Sequence, residues 1–137
     1  LPIGALLTTN GIAQAFQPGD HGSTFAAGPL VCAAALVVIE RLTRPGFLDG
    51  VREKGEYLAG RLQRLENEHI VEIRGRGLLV GIELDVPVAR VIQAARQQGL
   101  LVINSGANVL RLCPPLIISR DQIDTAVDVL TDCLEAC

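Results

Sequence analysis

The middle of the chain carries apolar residues at helical spacing. They are Leu48, Val51, Leu58, Leu62 and Leu65. This spacing puts them on one helix face, so it predicts an amphipathic helix whose apolar side is buried. The helix follows an Arg-Pro-Gly sequence at residues 44–46, which interrupts regular structure. We place a domain boundary there, between residues 1–45 and residues 46–137.

The period changes from helical to alternating after this helix, which predicts strands. Apolar and charged side chains alternate over residues 71–74, as in a half-buried strand. Gly75 and Gly77 predict a tight turn, and Arg74 and Arg76 are interpreted as part of it. Residues 78–84 are then predicted to return as a second strand.

The last third of the chain is also predicted to contain helices and strands. Its pattern predicts a helix at 88–98, a strand at 100–103, a turn at 104–108, a strand at 109–112 and a final helix after residue 119. Ser119 and Gln122 have the spacing of a capping box at the start of that helix. The order of elements predicts a small antiparallel sheet with helices packed on one face.

The first third of the chain is more apolar and less periodic. Residues 3–9 are apolar and β-prone and predict a strand or a hairpin arm, and residues 12–16 predict a short helix. Residues 29–42 predict a helix of about 20 Å that begins at Pro29, after Gly28. This helix is apolar almost all round. We therefore expect it to be buried on most sides, against chain outside this sequence or against a second subunit.

Composition narrows the classes of protein that fit this pattern. With 137 residues and 49% hydrophobic residues, the chain is large enough for a domain with a real core. A net charge of -3 without a basic block argues against nucleic acid as a partner. No apolar run reaches the roughly 18 residues that span a membrane. We expect a soluble protein of the cytoplasm or, in a eukaryote, of an organelle matrix or stroma.

Two further counts bear on completeness and on metal binding. The sequence has no methionine, even at position 1, so we expect it to be the C-terminal piece of a longer protein. The four cysteines lack the spacing of a metal site, so we predict no metal and free, reduced thiols. A catalytic cysteine lacks a convincing base, because His21 and His69 are the only histidines.

Two places in the sequence carry candidate chemistry. Residues 19–25 read Gly-Asp-His-Gly-Ser-Thr-Phe, in which glycines allow close backbone approach and hydroxyls with free N–H groups bind oxyanions. From spacing alone, a polar loop that caps the next helix is the favoured interpretation. Arg111 lies between leucines in a short predicted strand. It is either on an exposed edge or directed at a carboxylate in a fork geometry.

These segments resemble a known family. Residues 19–25 are similar to a stretch of the class III (ω-) pyridoxal-phosphate aminotransferases, closest to the acetylornithine aminotransferases. Residues 1–5, 74–78, 81–84 and 109–116 match the same family in the same order. Residues 26–28 depart from it, with Ala-Ala-Gly where many relatives have Gly-Gly-Asn.

The resemblance spans the chain and implies an α/β fold. It implies the C-terminal part of a fold-type I pyridoxal-phosphate-dependent transferase. Residues 1–45 would be the end of the large cofactor-binding domain. Residues 46–137 would be a small α+β domain with an antiparallel sheet covered by helices.

The resemblance also implies roles for individual residues. Thr24 matches the threonine that holds the phosphate of pyridoxal phosphate, typically that of the neighbouring subunit, so a homodimer with shared active sites is implied. Ser23 matches a position near the cofactor phosphate and the substrate. Arg111 matches the arginine that binds the substrate carboxylate. The Schiff-base lysine is implied to lie upstream of Leu1, and Lys54, the sole lysine, is poorly placed for that role. This piece alone is therefore expected to be inactive.

The implied reaction transfers the amino group of N-acetylornithine to 2-oxoglutarate, in arginine biosynthesis. Other ω-aminotransferases, acting on ornithine, succinylornithine or 4-aminobutyrate, are the alternatives within the class. A non-catalytic module that binds a small ligand is the alternative from another class. Asp20 and His21 are interpreted as loop-shaping residues, because the proton shuttle of the family is the lysine.

Overall fold

A computed structural model describes residues 1–22, 24 and 28–136. The chain divides into two units, Leu1–Phe47 and Leu48–Cys137. The assignment of residues 1–45 to a larger cofactor-binding domain, and of residues 46–137 to a small domain, stays a prediction.

The first unit contains two helices, α1 (Asn10–Ala13) and α2 (Pro29–Leu42). The predicted start of α2 is confirmed: Gly28 is its N-cap and Pro29 its first residue. Proline suits this position because its fixed φ fits a helix and its missing N–H has no partner in the first turn. The predicted strand at residues 3–9 is wrong, because these residues have no regular structure. A strand needs a hydrogen-bonded neighbour, which β-prone residues alone do not supply.

No described residue of the first unit is buried. Along α2, four consecutive apolar side chains are more than half exposed. They are Leu36, Val37, Val38 and Ile39. The described residues therefore do not bury the apolar side chains of α2 in the way that its sequence predicts.

The second unit contains a four-stranded sheet and three helices. Its elements are α3 (Phe47–Leu62), β1 (Ile70–Arg76), β2 (Leu79–Leu84), α4 (Ala89–Gln97), β3 (Ile103–Ser105), β4 (Val109–Leu112) and α5 (Arg120–Glu135). The strand order is β1-β2-β4-β3, and every neighbouring pair is antiparallel. This confirms the predicted antiparallel sheet with helices.

One face of the sheet carries the core. Alternate residues of β2 are buried, at Val80, Ile82 and Leu84, and β4 adds Leu110 and Leu112. They belong to a single apolar cluster with side chains from α3, α4 and α5. Side chains alternate between the two faces of a strand. The opposite face of the sheet, which we call the outer face, is therefore left to the other half of the strand residues.

The boundaries of two strands differ from those predicted. The β1–β2 turn lies at residues 77–78, where Gly77 has a φ of 59° that side chains other than glycine rarely adopt. Arg74 is consequently a strand residue, as the alternation over residues 71–74 predicts, and Arg76 extends the same strand. The interpretation of these two arginines as part of the turn is wrong. The strand predicted at residues 100–103 begins only at Ile103, because the Leu100 N–H instead donates to the carbonyl of Ala95 at the end of α4.

Polar contacts fix how the helices of this unit meet their neighbours. The predicted capping box of α5 is present: Ser119 Oγ accepts from the Gln122 N–H at 3.2 Å, and Gln122 Oε1 accepts from the Ser119 N–H at 2.9 Å. Nζ of Lys54 on α3 donates to the carbonyl of Leu116 at 2.6 Å, so this lysine ties α3 to the segment that follows β4.

Candidate functional site

The loop before α2 is shaped by its own polar side chains. Asp20 Oδ2 accepts from the Gln17 N–H at 2.6 Å, and the Asp20 N–H donates to the Gln17 carbonyl at 3.1 Å. The rings of Phe16 and His21 lie 5.4 Å apart and are tilted by 57°. These contacts support the interpretation of Asp20 and His21 as loop-shaping residues.

Of the two hydroxyl residues predicted to bind the cofactor, the structure describes one. Thr24 lies in a turn and is exposed. It can therefore offer a hydroxyl and a backbone N–H, the donors that suit a phosphate. Ser23 lies outside the described residues.

Arg111 lies on β4, on the outer face of the sheet. It is exposed and its neighbours Leu110 and Leu112 point into the core. The alternative that placed Arg111 on an exposed edge is wrong, because β4 pairs with β2 on one side and with β3 on the other. An interior strand holds the backbone of Arg111 on both sides and leaves its guanidinium accessible.

The outer face brings Arg111 close to a second arginine. Gly81 of β2 pairs with Arg111 of β4 and, on its other side, with Arg74 of β1. Paired residues in an antiparallel sheet point to the same face, so both guanidinium groups share the outer face. Gly81 between them has no side chain, and a Cβ there would lie 3.2 Å from Cγ1 of Val109.

The two arginines differ in what they bind. Arg74 Nη1 donates to Glu72 at 2.7 Å and to Glu83 at 2.5 Å. The hydrogen bond to Glu83 is the largest cause that raises the pKa of the Arg74 guanidinium, and partial desolvation opposes it. Arg111, by contrast, makes no side-chain hydrogen bond or ion pair with the part of the chain that the structure describes.

Arg74 and Glu83 were not among the predicted site residues. The signal that points to them is the spacing of charged residues between apolar ones: Glu72 and Arg74 are two steps apart on one face of β1, and Glu83 lies between Ile82 and Leu84 on β2. Their meeting depends on the register between β1 and β2, which the sequence pattern does not reveal.

Residues 1–22, 24 and 28–136 contain neither a membrane-spanning helix nor a metal-binding cluster. None of the helices formed there is long and apolar enough to cross a membrane. Within the same residues, no group of three or more histidine, cysteine, aspartate or glutamate side chains is arranged to hold a metal ion.

Comparison with known proteins gives the family. A sequence profile described as Aminotransferase class-III matches residues 1–134. The chain belongs to this aminotransferase family. The chain is also similar to the mitochondrial acetylornithine aminotransferase of Alnus glutinosa, with 50% identity over 139 residues. That match covers 99% of this chain and 31% of the relative.

Solved aminotransferase structures share its fold. An acetylornithine aminotransferase from Elizabethkingia anophelis matches with a TM-score of 0.82 and 27% identity, over 96% of this chain and 36% of that one. An ornithine aminotransferase from Toxoplasma gondii matches with a TM-score of 0.80 and 30% identity, over 92% of this chain and 31% of that one. This class III aminotransferase chain thus spans about a third of the length of the relatives it matches.

Proposed function

We propose that this chain forms part of an enzyme that transfers the amino group of N-acetylornithine to 2-oxoglutarate, in arginine biosynthesis. The observation that carries the proposal is the accessible guanidinium of Arg111 on an interior strand, in a chain 50% identical to an acetylornithine aminotransferase. Because the chain spans about a third of its relatives, the activity is proposed for a longer protein that contains it.

Arg111 is proposed to bind the substrate carboxylate. In 2-oxoglutarate the carbon that accepts the amino group is bonded directly to a carboxylate. N-acetylornithine transfers its δ-amino group, because its α-amino group is acetylated, and its carboxylate lies several carbons from the carbon that reacts. The carboxylate that Arg111 would hold beside the reacting carbon is therefore that of the 2-oxo acid. A planar guanidinium can hold such a group through two parallel hydrogen bonds, which fixes its orientation as well as its position. Hydrogen bonding of β4 on both sides keeps the backbone of Arg111 in place, as an anchoring residue requires.

Pyridoxal phosphate is the proposed cofactor, and the donors around Thr24 suit its phosphate. The ornithine aminotransferase of Toxoplasma gondii is described with pyridoxal phosphate partly occupying its active site. When bound, this cofactor supplies an electron sink. Thr24 would hold its phosphate through a hydroxyl and a backbone N–H, and Ser23 would lie near the phosphate and the substrate.

The proposal requires a lysine that this chain does not provide. Lys54 is its sole lysine, and Nζ of Lys54 is occupied by the carbonyl of Leu116. We therefore propose that the lysine linked to the cofactor comes from residues outside this sequence. The 137 residues by themselves are then expected to show no transamination.

We further propose a homodimer in which Thr24 serves the active site of the partner subunit. The exposed apolar side chains of α2 support an association that covers them. The test mixes two inactive full-length variants, Thr24→Ala and a variant without the cofactor-linked lysine. Subunit exchange then creates one site with both defects and one with neither, so partial activity should return. If exchange is verified and activity stays absent, Thr24 serves its own subunit or no site.

The carboxylate role of Arg111 is tested in the longer protein by Arg111→Lys. Lysine keeps the charge but cannot form the planar fork, so kcat/KM for 2-oxoglutarate should fall roughly 30- to 150-fold, which corresponds to about 2–3 kcal/mol of transition-state binding. Arg76→Lys is the matched control, because Arg76 is an exposed arginine of β1 that takes no part in the proposed binding. Equal kinetics for Arg111→Lys and the unmodified enzyme would contradict the proposal.

Ornithine is the second candidate donor, favoured by the likeness to the ornithine aminotransferase of Toxoplasma gondii. Glutamate formation from 2-oxoglutarate should be measured with N-acetylornithine, ornithine, succinylornithine and 4-aminobutyrate as donors. The proposal expects the highest kcat/KM for N-acetylornithine. A higher value for ornithine would transfer the assignment to that substrate and leave the role of Arg111 standing.

A further inference from the structure

The outer face places one carboxylate between two arginines. Arg74 and Arg111 both pair with Gly81, from the strands on either side of β2. Glu83 lies two residues further along β2 and therefore on the same face. It has the same diagonal relationship to both arginines. Diagonal neighbours in an antiparallel sheet lie about 7–8 Å apart, within reach of long side chains.

Glu83 binds only one of its two arginine neighbours. Its Oε2 lies 2.5 Å from Nη1 of Arg74, and that nitrogen also donates to Glu72 at 2.7 Å. Among the described residues, Arg111 has no carboxylate partner. The strand register therefore gives Glu83 two possible arginine partners, Arg74 on β1 and Arg111 on β4. In the structure Glu83 pairs with Arg74.

Gly81 adds no side chain between Glu83 and Arg111. It stands directly opposite Arg111, and Cγ1 of Val109 lies 3.2 Å from the position that a Cβ on Gly81 would take. The long side chains of Glu83 and Arg111 would therefore meet above the short side chain of Val109. Glu72 cannot take the place of Glu83 at Arg111, because Glu72 lies on β1, two strands away from β4. Two strand spacings amount to about 10 Å, beyond a direct contact for Glu72.

We propose that Arg74 is a positioning residue that holds Glu83 away from Arg111, so that Arg111 stays available to a substrate carboxylate. This inference rests on the carboxylate role proposed for Arg111. Without Arg74, the Glu83 carboxylate is released toward Arg111, its other diagonal neighbour, and competes with the substrate for the same N–H donors. Arg74 thus acts on substrate binding through Glu83, without touching the substrate.

The kinetic test uses the longer protein with Arg74→Gln. A released Glu83 competes with the carboxylate of 2-oxoglutarate, so KM for 2-oxoglutarate should rise by about three- to six-fold, as expected for a partly exposed ion pair. The value of kcat should be unchanged, because saturating substrate displaces Glu83. Arg74→Gln combined with Glu83→Gln should restore KM, since no carboxylate is then left to compete.

Arg76→Gln is the matched control for charge. Arg76 lies on β1 two residues from Arg74, is exposed and pairs with Leu79 rather than with Gly81. Its replacement removes one positive charge from the same strand without releasing Glu83, so KM should stay at the unmodified value. A rise in KM equal to that of Arg74→Gln would assign the effect to net charge and overturn the proposal.

A second readout needs no substrate. Phenylglyoxal modifies unpaired guanidinium groups, and mass spectrometry of the peptide that contains Arg111 measures the rate at that residue. Modification of Arg111 should be slowed several-fold in Arg74→Gln, because Glu83 now pairs with it. The double variant and Arg76→Gln should react at the unmodified rate.

The two readouts separate the inference from the proposed function. If Arg111 modification slows but KM does not change, Glu83 does reach Arg111, and the carboxylate role of Arg111 fails together with the inference built on it. If modification is unchanged, or if Glu83→Gln does not restore KM, the positioning role of Arg74 is overturned. Should Arg74→Gln fail to fold, Arg74→Lys takes its place. A lysine holds Glu83 through one donor site only, so the same changes should appear with smaller size, and their absence overturns the proposal.

Discussion

The helices α2 and α5 are close in length and have opposite surroundings. None of the 14 residues of α2 is buried, whereas five of the 16 residues of α5 are. Apolar residues of α5 recur on one face, and that face meets the sheet and α4 in the core. Those of α2 surround the helix. The spacing of the apolar residues therefore indicates how a helix is buried. A helix with one apolar face packs that face on the core of its own unit, and a helix that is apolar all round needs packing partners on several sides.

The proposed ligand contacts follow the same division. Arg111 projects from an interior strand above a packed core, so its position is set by residues of the same unit. Thr24 lies in an exposed turn of a unit without buried residues. The carboxylate contact is thus built by this chain, and the phosphate contact depends on whatever covers the first unit.

The sharpest test of this comparison removes one leucine from each helix. Leu130 of α5 is fully buried, so Leu130→Ala should cost about 2–5 kcal/mol of unfolding free energy through lost burial and a cavity. Leu36 of α2 is 60% exposed, so Leu36→Ala should change stability of this chain by less than about 0.5 kcal/mol. Urea denaturation of the two variants measures both values.

The same pair of variants can be measured in the longer protein. If the proposed dimer covers α2, Leu36→Ala should become destabilising there while Leu130→Ala keeps its cost. Equal and large costs for the two variants within this chain would break the comparison, because they would require a buried Leu36.

A second test separates two glycines of α3. A Cβ at Gly55 would lie 2.7 Å from the backbone of Gly77, so Gly55→Ala should cost about 1–3 kcal/mol through overpacking. Nothing lies within 4 Å of a Cβ at Gly60, so Gly60→Ala should stabilise the helix by about 0.5–1 kcal/mol. Thermal unfolding of both variants should give shifts of opposite sign. Shifts of the same sign would show that α3 does not contact the β1–β2 turn as described.

How far the sequence could predict the fold depends on what each element needs. In the second unit, β2, β4 and α5 lie close to where their patterns put them, because the packing that stabilises them also imposes the period. The strand predicted at residues 3–9 is wrong, since a strand requires a hydrogen-bonded partner that local propensity does not reveal. The turn after β1 was misplaced because two glycines compete for it. Gly77 has the positive φ, whereas Gly75 is needed for space, as a Cβ there would lie 2.4 Å from the Leu79 carbonyl oxygen.

The candidate site was predictable only where one residue carries the signal. Arg111 stands out as a charge between leucines. The link between Arg74 and Glu83 arises from the pairing of β1 with β2, and no local pattern contains that register. The role of Ser23 near the cofactor phosphate and the substrate stays a prediction.

The smallest expected effect concerns how the two helices begin. Ser119 caps α5 with its side chain, so Ser119→Ala should cost about 1 kcal/mol of unfolding free energy.

α2 begins at Gly28 without a side-chain cap, and the backbone there has a φ of -62° and a ψ of 144°, which serine adopts freely. A Cβ at Gly28 would meet Val31 Cγ2 at 3.8 Å, an ordinary contact. Gly28→Ser should therefore stabilise α2 by a few tenths of a kcal/mol, since glycine is only slightly worse than serine at an N-cap. Circular dichroism during urea denaturation measures both changes. A loss of helix in Gly28→Ser would contradict this expectation. It would mean that other residues already pack against the start of α2, so that this helix end is no more accessible than the capped start of α5.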